Sequence, residues 1–449
     1  MIKDKLLKII ESVKASNIGS RIASGAFWSF TGTALAKLLV LVASIICAHI
    51  LSQQEYGEFG MVRSTINMFV VFGAAGLGMT ATKYISEYRE SHKERIAGIY
   101  ILTNGFAVVT GLIVTVVVLA IAPYLAENTL HAPHLEPSIR VGAVLLFVTI
   151  LTGAQNGALT GVEDFRSMAF NTLIGSVAES AFMLLGAYYY GVLGAVLGYG
   201  VGFIALYVAN FISIRKDFNR MGVEIRLSSF NREDLHLLYK FSLPAALSTI
   251  LLTPTIWVIK TLLANQCGFD ELAIFEAADQ WKTMILFIPS TVSLVALPIL
   301  SSIVGLDQTK FRKVLNINLY LNAGIALVIA VAVSVLSPFI MTLYGKAYVS
   351  DYWVLIILAA STVFSSMANV VGLAISSRAK MWVGFLFNAV WAAMVIGFSV
   401  LFLNLGLGAR GLALAITVAY VIHTTAQLIY IHYSGEPAKG PDSVQSCES

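Results

Sequence analysis

Long apolar runs follow one another along most of the chain, separated by short polar breaks. A helix needs roughly 20 predominantly apolar residues to cross the hydrocarbon of a bilayer. On that measure the sequence predicts twelve spans: 21–50, 58–79, 97–122, 139–160, 169–189, 192–213, 240–264, 272–303, 314–337, 352–376, 382–404 and 409–432. The narrowest breaks fall at Tyr190-Gly191 and around Gly406–Gly408. Residues 1–20 alternate Lys with Ile and Leu at helical spacing, which suits an amphipathic helix lying on a membrane surface and equally a solvated tail. They lack the pattern of a cleavable signal segment.

Composition sharpens this picture. Of 449 residues, 57% are hydrophobic and only 12% are charged, about half the charged share of an ordinary soluble domain. A chain so poor in charge cannot coat a water-facing surface, so lipid is its main solvent and the fold class is all-α polytopic membrane protein. The net charge of +4 says less than where the charges fall. With the N-terminus taken as cytoplasmic, the outer loops and outermost span residues hold only Arg140, Lys346 and Arg410, and Lys37, Arg63, Lys260 and Lys282 lie deeper inside spans. Every other Lys and Arg falls on the inner side, so the positive-inside rule puts both termini there. The cysteines Cys47, Cys267 and Cys447 have neither disulfide nor metal spacing. His131 and His134 share a short outer loop without convincing further ligands, so no metal is expected.

The chain is also written twice. Shifted by 216 residues, Phe59 falls on Phe275, Met68 on Met284, Ser86 on Ser302, Arg63 on Asp279, Asn67 on Thr283 and Gly73 on Pro289. GVLGAVLG (191–198) matches GARGLALA (408–415) with a shift of 217. Six spans per copy is an even number, which predicts two six-helix lobes as a parallel repeat. The expected organisation is an N-terminal segment (1–20), an N-lobe (21–213), a basic linker (214–239), a C-lobe (240–432) and a tail (433–449).

Polar residues inside the spans are the candidate chemistry. Arg63 and Asn67 share a helix face on the second span, as do Glu276, Asp279, Gln280 and Thr283 on the eighth. A charge at mid-membrane is disfavoured by roughly 2.5 to 3.5 kcal/mol on insertion scales unless it borders water or a partner. Lining a wet cavity is one reading. Snorkelling is another for Arg63, Lys260 and Glu276, each near the outer end of its predicted span. A third pairs Arg63 with Asp279 as a structural lock. Lys37, near the middle of the first span, cannot easily snorkel, and Glu179 on the fifth is its candidate partner or an ion site. Lys282 points away from the Glu276/Asp279 stripe. Cations so placed suit a phosphate or pyrophosphate, to which Arg offers a planar fork and Lys a point charge. Glu179, Glu276 and Asp279 suit H⁺ or Na⁺ coupling. Pro244, Pro254, Pro289 and Pro298 interrupt the seventh and eighth spans, and Gly73, Gly76 and Gly78 the second; Gly73, Pro254 and Pro289 are the hinge candidates.

Several stretches resemble a known family. FWSFTGTALAKLLVLVASIICAHILSQQEYGEFG (27–60), GAAGLGMTATKYISEY (73–88), FSLPAALS (241–248) and LYGKAYVSDYWVLIILA (343–359) are similar to polysaccharide and O-antigen flippases of the multidrug/oligosaccharidyl-lipid/polysaccharide exporter superfamily. The resemblance spans essentially the whole chain but rests on diffuse structural patterns. It implies two lobes forming a V around a central, cationic cavity, which Lys37 and Arg63 fit. Cationic positions vary among flippases, so the cavity residues expected to meet the pyrophosphate and sugar, Lys37, Arg63, Asn67, Lys260 and Lys282, are those of the polar positions read above. The resemblance further implies passage of a polyprenyl-pyrophosphate-linked oligosaccharide across the bacterial inner membrane, a membrane-lipid environment, and polymerase or assembly proteins as partners, with no nucleic acid. The competing transport reading is a cation-coupled multidrug exporter of the same superfamily. An enzyme reading is rejected: the outer loops are short, and no nucleotide-binding loop or nucleophile constellation occurs.

Overall fold

A computed structural model of the chain describes residues 17–74, 76–225, 234–237, 250–303, 308–378 and 380–433. Outside them lie most of the expected amphipathic segment, much of the linker, the FSLPAALS stretch with Pro244, and the tail beyond Tyr433. The described residues are helical, with no strand among them. In chain order the long helices are α1 (Asn17–Ile50), α2 (Gln53–Ala74), α3 (Leu77–Ser91), α4 (Lys93–Tyr124), α5 (Glu136–Gly161) and α6 (Phe165–Met221). They continue with α7 (Leu252–Cys267), α8 (Phe269–Ile303), α9 (Gln308–Thr342), α10 (Trp353–Ser377), α11 (Met381–Asn404) and α12 (Gly408–Tyr433). Only helices or closed barrels satisfy every backbone N–H and C=O in lipid. Each of the twelve expected spans coincides with a helix, an arm of one, or the α2–α3 pair, the seventh in its described part. The protein is a multi-pass membrane protein.

Its surface agrees with that environment. Val109, Leu112, Ile113 and Val116 on α4, and Val328, Val331, Val335 and Phe339 on α9, are exposed at helical spacing. So broad an apolar surface would be an aggregation site in water and is ordinary against acyl chains.

The break expected at Tyr190-Gly191 is a turn inside α6: Tyr190 leaves helical geometry, and Gly191 adopts φ 56° and ψ −136°. Only glycine enters that region freely. The two arms fold back on each other as an antiparallel hairpin along a glycine-rich seam. A Cβ on Gly194 would lie 1.9 Å from the Gly186 carbonyl oxygen, and one on Gly202 would lie 2.5 Å from Glu179 Cβ. Lys37 and Glu179 sit half-buried on α1 and on the first arm of α6. Those two helices pack closely where Gly32 meets Ala169.

The repeat is visible in the architecture. Helix starts recur at near-constant offset: Gln53 and Phe269, Lys93 and Gln308, Glu136 and Trp353. Gly408, 217 residues after Gly191, also has a positive φ, 51°, at the turn from α11 to α12. By contact the chain divides into two units, Met1–Ile50 with Thr65–Asn128 and Ala132–Ala246, and Leu51–Ser64 with Thr129–His131 and Leu247–Ser449. Each has its own apolar core. In the first, Ile99, Ala158 and Ile214 cluster with Tyr100 and Phe218; in the second, the corresponding Leu315, Ile375 and Ile431 cluster with Phe311 and Leu319. Polar bonds reinforce the first core: Asn171 donates to Asn210 Oδ1 at 3.0 Å, and Asn210 donates to Asn156 Oδ1 at 2.8 Å. Such bonds hold helices together where apolar contact gains nothing over lipid.

The copies differ at the joint of the second and eighth spans. The second span is bent by 45° between α2 and α3, with Gly76 at φ 72°, whereas α8 runs through Pro289 as one helix. Gly73 serves close packing, since a Cβ there would lie 2.1 Å from Ile150 Cδ1. Thr110 Oγ1 also donates to the Gly73 carbonyl at 2.8 Å. Pro254 stands in the first turn of α7, where a missing N–H interrupts no helical bond.

Candidate functional site

Arg63 of the second span meets the polar stripe of the eighth within the second unit. There α2 and α8 lie side by side in register with the repeat. Gln53 Nε2 donates to the Asp270 carbonyl at 3.0 Å. A Cβ on Gly57 would lie 2.0 Å from the Phe269 carbonyl oxygen and 3.2 Å from Ala273 N. One turn on, a Cβ on Gly60 would lie 2.6 Å from Glu276 Cγ, so the glycine leaves the space that the glutamate occupies. Residues at equivalent repeat positions are therefore neighbours here.

Glu276 is the centre of a five-residue ionic cluster. Arg63 Nη2 donates to its Oε2 at 3.1 Å, and Lys260 Nζ, from α7, stands 2.7 Å from its Oε1. Lys260 also reaches Asp279 Oδ2 at 3.4 Å, and Lys282 Nζ donates to Asp279 Oδ1 at 2.7 Å. Phenylalanines at equivalent positions flank two of the cations, Arg63 over Phe59 at 5.6 Å and Lys260 over Phe275 at 5.7 Å. Among the contacts described, three cations share these two carboxylates. At 1.5 Å per residue, Arg63 and Asp279 lie about 15 Å, and Glu276 and Lys260 about 10 Å, from the helix ends at Gln53, Phe269 and Cys267. Burial is graded across the cluster. The side chains of Glu276 and Lys260 are 3% and 7% exposed, against 14% for Lys282, 19% for Arg63 and 20% for Asp279.

Three expectations are corrected by this geometry. Arg63 pairs with Glu276 rather than Asp279, because in-register packing puts Gly60 against Glu276 and leaves the arginine one turn away. Snorkelling does not describe Arg63, Lys260 or Glu276: α2 begins at Gln53, so Arg63 sits nearly three turns inside, and the other two are buried against each other. Lys282 does not point away from the stripe; its long stem brings the ammonium back to Asp279 three residues earlier.

The remaining candidates lie elsewhere. Asn67, exposed one turn beyond Arg63, belongs with Lys37, Glu179 and Gly73 to the first unit. Sequence reasoning missed Gly60 and the aromatic wall beside the cluster, where Gln280 Nε2 donates to Tyr56 Oη at 2.9 Å and Tyr344 and Tyr348 pack edge-on to Tyr56. The signal for Gly60 was available, since the repeat aligns it with Glu276. Among the described residues no three His, Cys, Asp or Glu side chains are grouped as a metal site.

Comparison with known proteins agrees with this architecture. Residues 22–304 match the family model described as polysaccharide biosynthesis protein. The EPS I polysaccharide export inner membrane protein EpsE of Ralstonia nicotianae is 26% identical over 394 residues, covering 85% of this chain and 87% of that protein. The lipid III flippase of Escherichia coli is 22% identical over 289 residues, covering 62% of this chain and 67% of that protein. An inward-facing multidrug resistance MATE family transporter of the MOP superfamily aligns with a TM-score of 0.80 at 16% identity, covering 92% of this chain and 96% of that one. At that identity the likeness speaks for the fold.

Proposed function

This chain belongs to the polysaccharide biosynthesis protein family, and we propose that it is a flippase, moving a polyprenyl-pyrophosphate-linked oligosaccharide from the cytoplasmic to the outer leaflet of a bacterial inner membrane. What supports this most is the cluster around Glu276, where three cations share two carboxylates deep in a membrane-spanning bundle. A pyrophosphate leaving water needs fixed positive partners, and these cations provide them. Arg63 and Lys282, the two more accessible cations, are its first contacts, through a guanidinium fork and an ammonium. Lys260, held deeper between Glu276 and Asp279, keeps the carboxylates in place. The polyprenyl tail stays in lipid while the sugar crosses, and Lys37 adds a second cationic stage on α1. EpsE and the lipid III flippase, whose names describe polysaccharide export and lipid flipping, support the choice of cargo. A cationic drug as cargo would meet like charge at this cluster.

For coupling, H⁺ or Na⁺ is the driving ion. Glu276 and Asp279 each already hold two cations, so an ion entering there must displace an ammonium or a guanidinium. Glu179, beside Gly202, is the candidate outside that cluster. Both termini are cytoplasmic in this reading, and a polymerase at the outer face takes over the product.

The test is reconstitution into liposomes with a lipid-linked oligosaccharide, scoring which leaflet holds the sugar. Arg63→Glu and Lys37→Glu should abolish movement while the protein still inserts; normal rates in both would overturn the assignment. Collapsing H⁺ and Na⁺ gradients separately identifies the driving ion.

A further inference from the structure

The C-terminal end of α6 carries a feature that the flipping reading does not use. A cavity of about 580 Å³ opens over its last turns, lined by Phe211, Ile212, Arg215, Lys216, Asn219 and Arg220. These positions recur at three- and four-residue spacing and form one broad face. Phe211 and Ile212 are 42% and 60% exposed, and Arg215, Lys216, Asn219 and Arg220 are exposed as well. Asp217, the one carboxylate in these turns, is tucked beneath, its side chain 13% exposed and 3.8 Å from Arg220 Nη1. Toward the middle of the span the same side continues through exposed Ile204 and Val208. The stripe thus passes from apolar to cationic within about three turns, as a phospholipid passes from acyl chain to phosphate.

We propose that this trough is a binding site for an anionic phospholipid of the phosphatidylglycerol kind. Its phosphate sits among Arg215, Lys216 and Arg220, Asn219 donates to a headgroup oxygen, and the first methylenes lie on Phe211 and Ile212. Lys and Arg at the membrane boundary attract anionic headgroups, and their stems cover apolar surface while the charged ends stay wet. A zwitterionic lipid offers no net charge to three cations. Free phosphate would meet the cations but leave the apolar wall unused. The site is built from α6 residues alone and shares none with the Glu276 cluster, so it does not depend on which cargo is flipped.

The experiment is native mass spectrometry of the delipidated full-length chain in detergent, titrated in parallel with phosphatidylglycerol, phosphatidylcholine, inorganic phosphate and undecaprenyl diphosphate. Phosphatidylglycerol adducts should exceed phosphatidylcholine adducts by about tenfold. R215Q/K216Q/R220Q should bring the two level, while R215K/R220K keeps the preference and serves as the folding control. Were the triple variant to aggregate, R215Q alone should lose part of the preference. An equal response to both lipids, a preference that survives the triple variant, or full displacement of phosphatidylglycerol by equimolar undecaprenyl diphosphate or by phosphate would overturn the proposal.

Discussion

Arg63 and Glu276 meet at 3.1 Å although the repeat aligns Arg63 with Asp279. The glutamate side chain fills the space left by Gly60 and is almost sealed from solvent, between a guanidinium and the Lys260 ammonium. Removing one partner of a buried ionic group leaves charge without compensation, typically a loss of about 3–5 kcal/mol. Glu276→Gln should therefore lower the thermal midpoint in detergent markedly, read by tryptophan fluorescence. In a double-mutant cycle with Arg63→Gln the two losses should add to less than their sum, because the second change removes a charge the first has orphaned. Additive losses would show that the pair is not coupled.

Gly60→Ala tests the same contact by size alone. Its Cβ would come within 2.6 Å of Glu276 Cγ, so one of the two must move. Overpacking of this kind destabilises by about 1–3 kcal/mol. Glu276→Ala removes both the Cγ and the Cδ that the new methyl meets, so it should cost less in the Gly60→Ala background than with Gly60 in place. An equal cost in both backgrounds would mean that the strain lies in the α2–α8 backbone approach.

Lys282 and Lys260 should separate binding from stability. Lys282→Gln removes a partly exposed ammonium and should weaken transport of a pyrophosphate-linked sugar by about tenfold to a hundredfold, the range for losing one charge-assisted hydrogen bond. Its thermal midpoint should barely change. Lys260→Gln removes an ammonium shared by both carboxylates and should depress the midpoint as well as transport. Identical behaviour of the two variants in both assays would contradict the division of labour.

Gly191→Ala should destabilise by about 1–3 kcal/mol, since φ 56° with ψ −136° lies where a Cβ clashes with its own backbone. Equal midpoints for Gly191→Ala and the native chain would refute the strain argument.

Outside the membrane, Asp351 sets a pH dependence. Burial pushes its carboxyl above the usual carboxylate range, and contact with Arg410 offsets only part of this. The folded chain thus holds that proton to higher pH than the unfolded chain, which releases it near pH 4. Stability from this group is complete below that value and is lost as pH rises through the raised folded value. Thermal midpoints measured upward from about pH 4 should fall over that window, and Asp351→Asn should flatten the curve. An unchanged slope in the Asn variant would remove Asp351 as the cause.

Much of this fold was legible in the sequence because lipid enforces a simple rule: length of apolar run equals span. The Tyr190-Gly191 turn and its counterpart at Gly408 were readable as glycine between two runs each long enough to cross. The cluster was half readable. Spacing of three and four residues showed which carboxylates share a face of α8, but a face is not a neighbour. Nothing in the local pattern says that α2 packs beside α8 in register, so the Arg63–Asp279 lock, one of three readings of the sequence, names the wrong acid. Lys282 was misread because a helical wheel records where a side chain leaves the helix, and a four-carbon stem ends elsewhere. Gly60 escaped notice because an empty position acquires meaning only from what fills it.

The apposition of Gly60 and Glu276 has a consequence for the repeat. Equivalent residues touch, so two identical halves would set either glycine against glycine, which lets the helices close up as they do at Gly186 and Gly194, or glutamate against glutamate, two like charges in one slot. A glycine facing a glutamate fixes one particular separation of the helices, so the two halves are no longer interchangeable here: a chimera of two second halves should fail at this seam, and one of two first halves should draw the helices closer together.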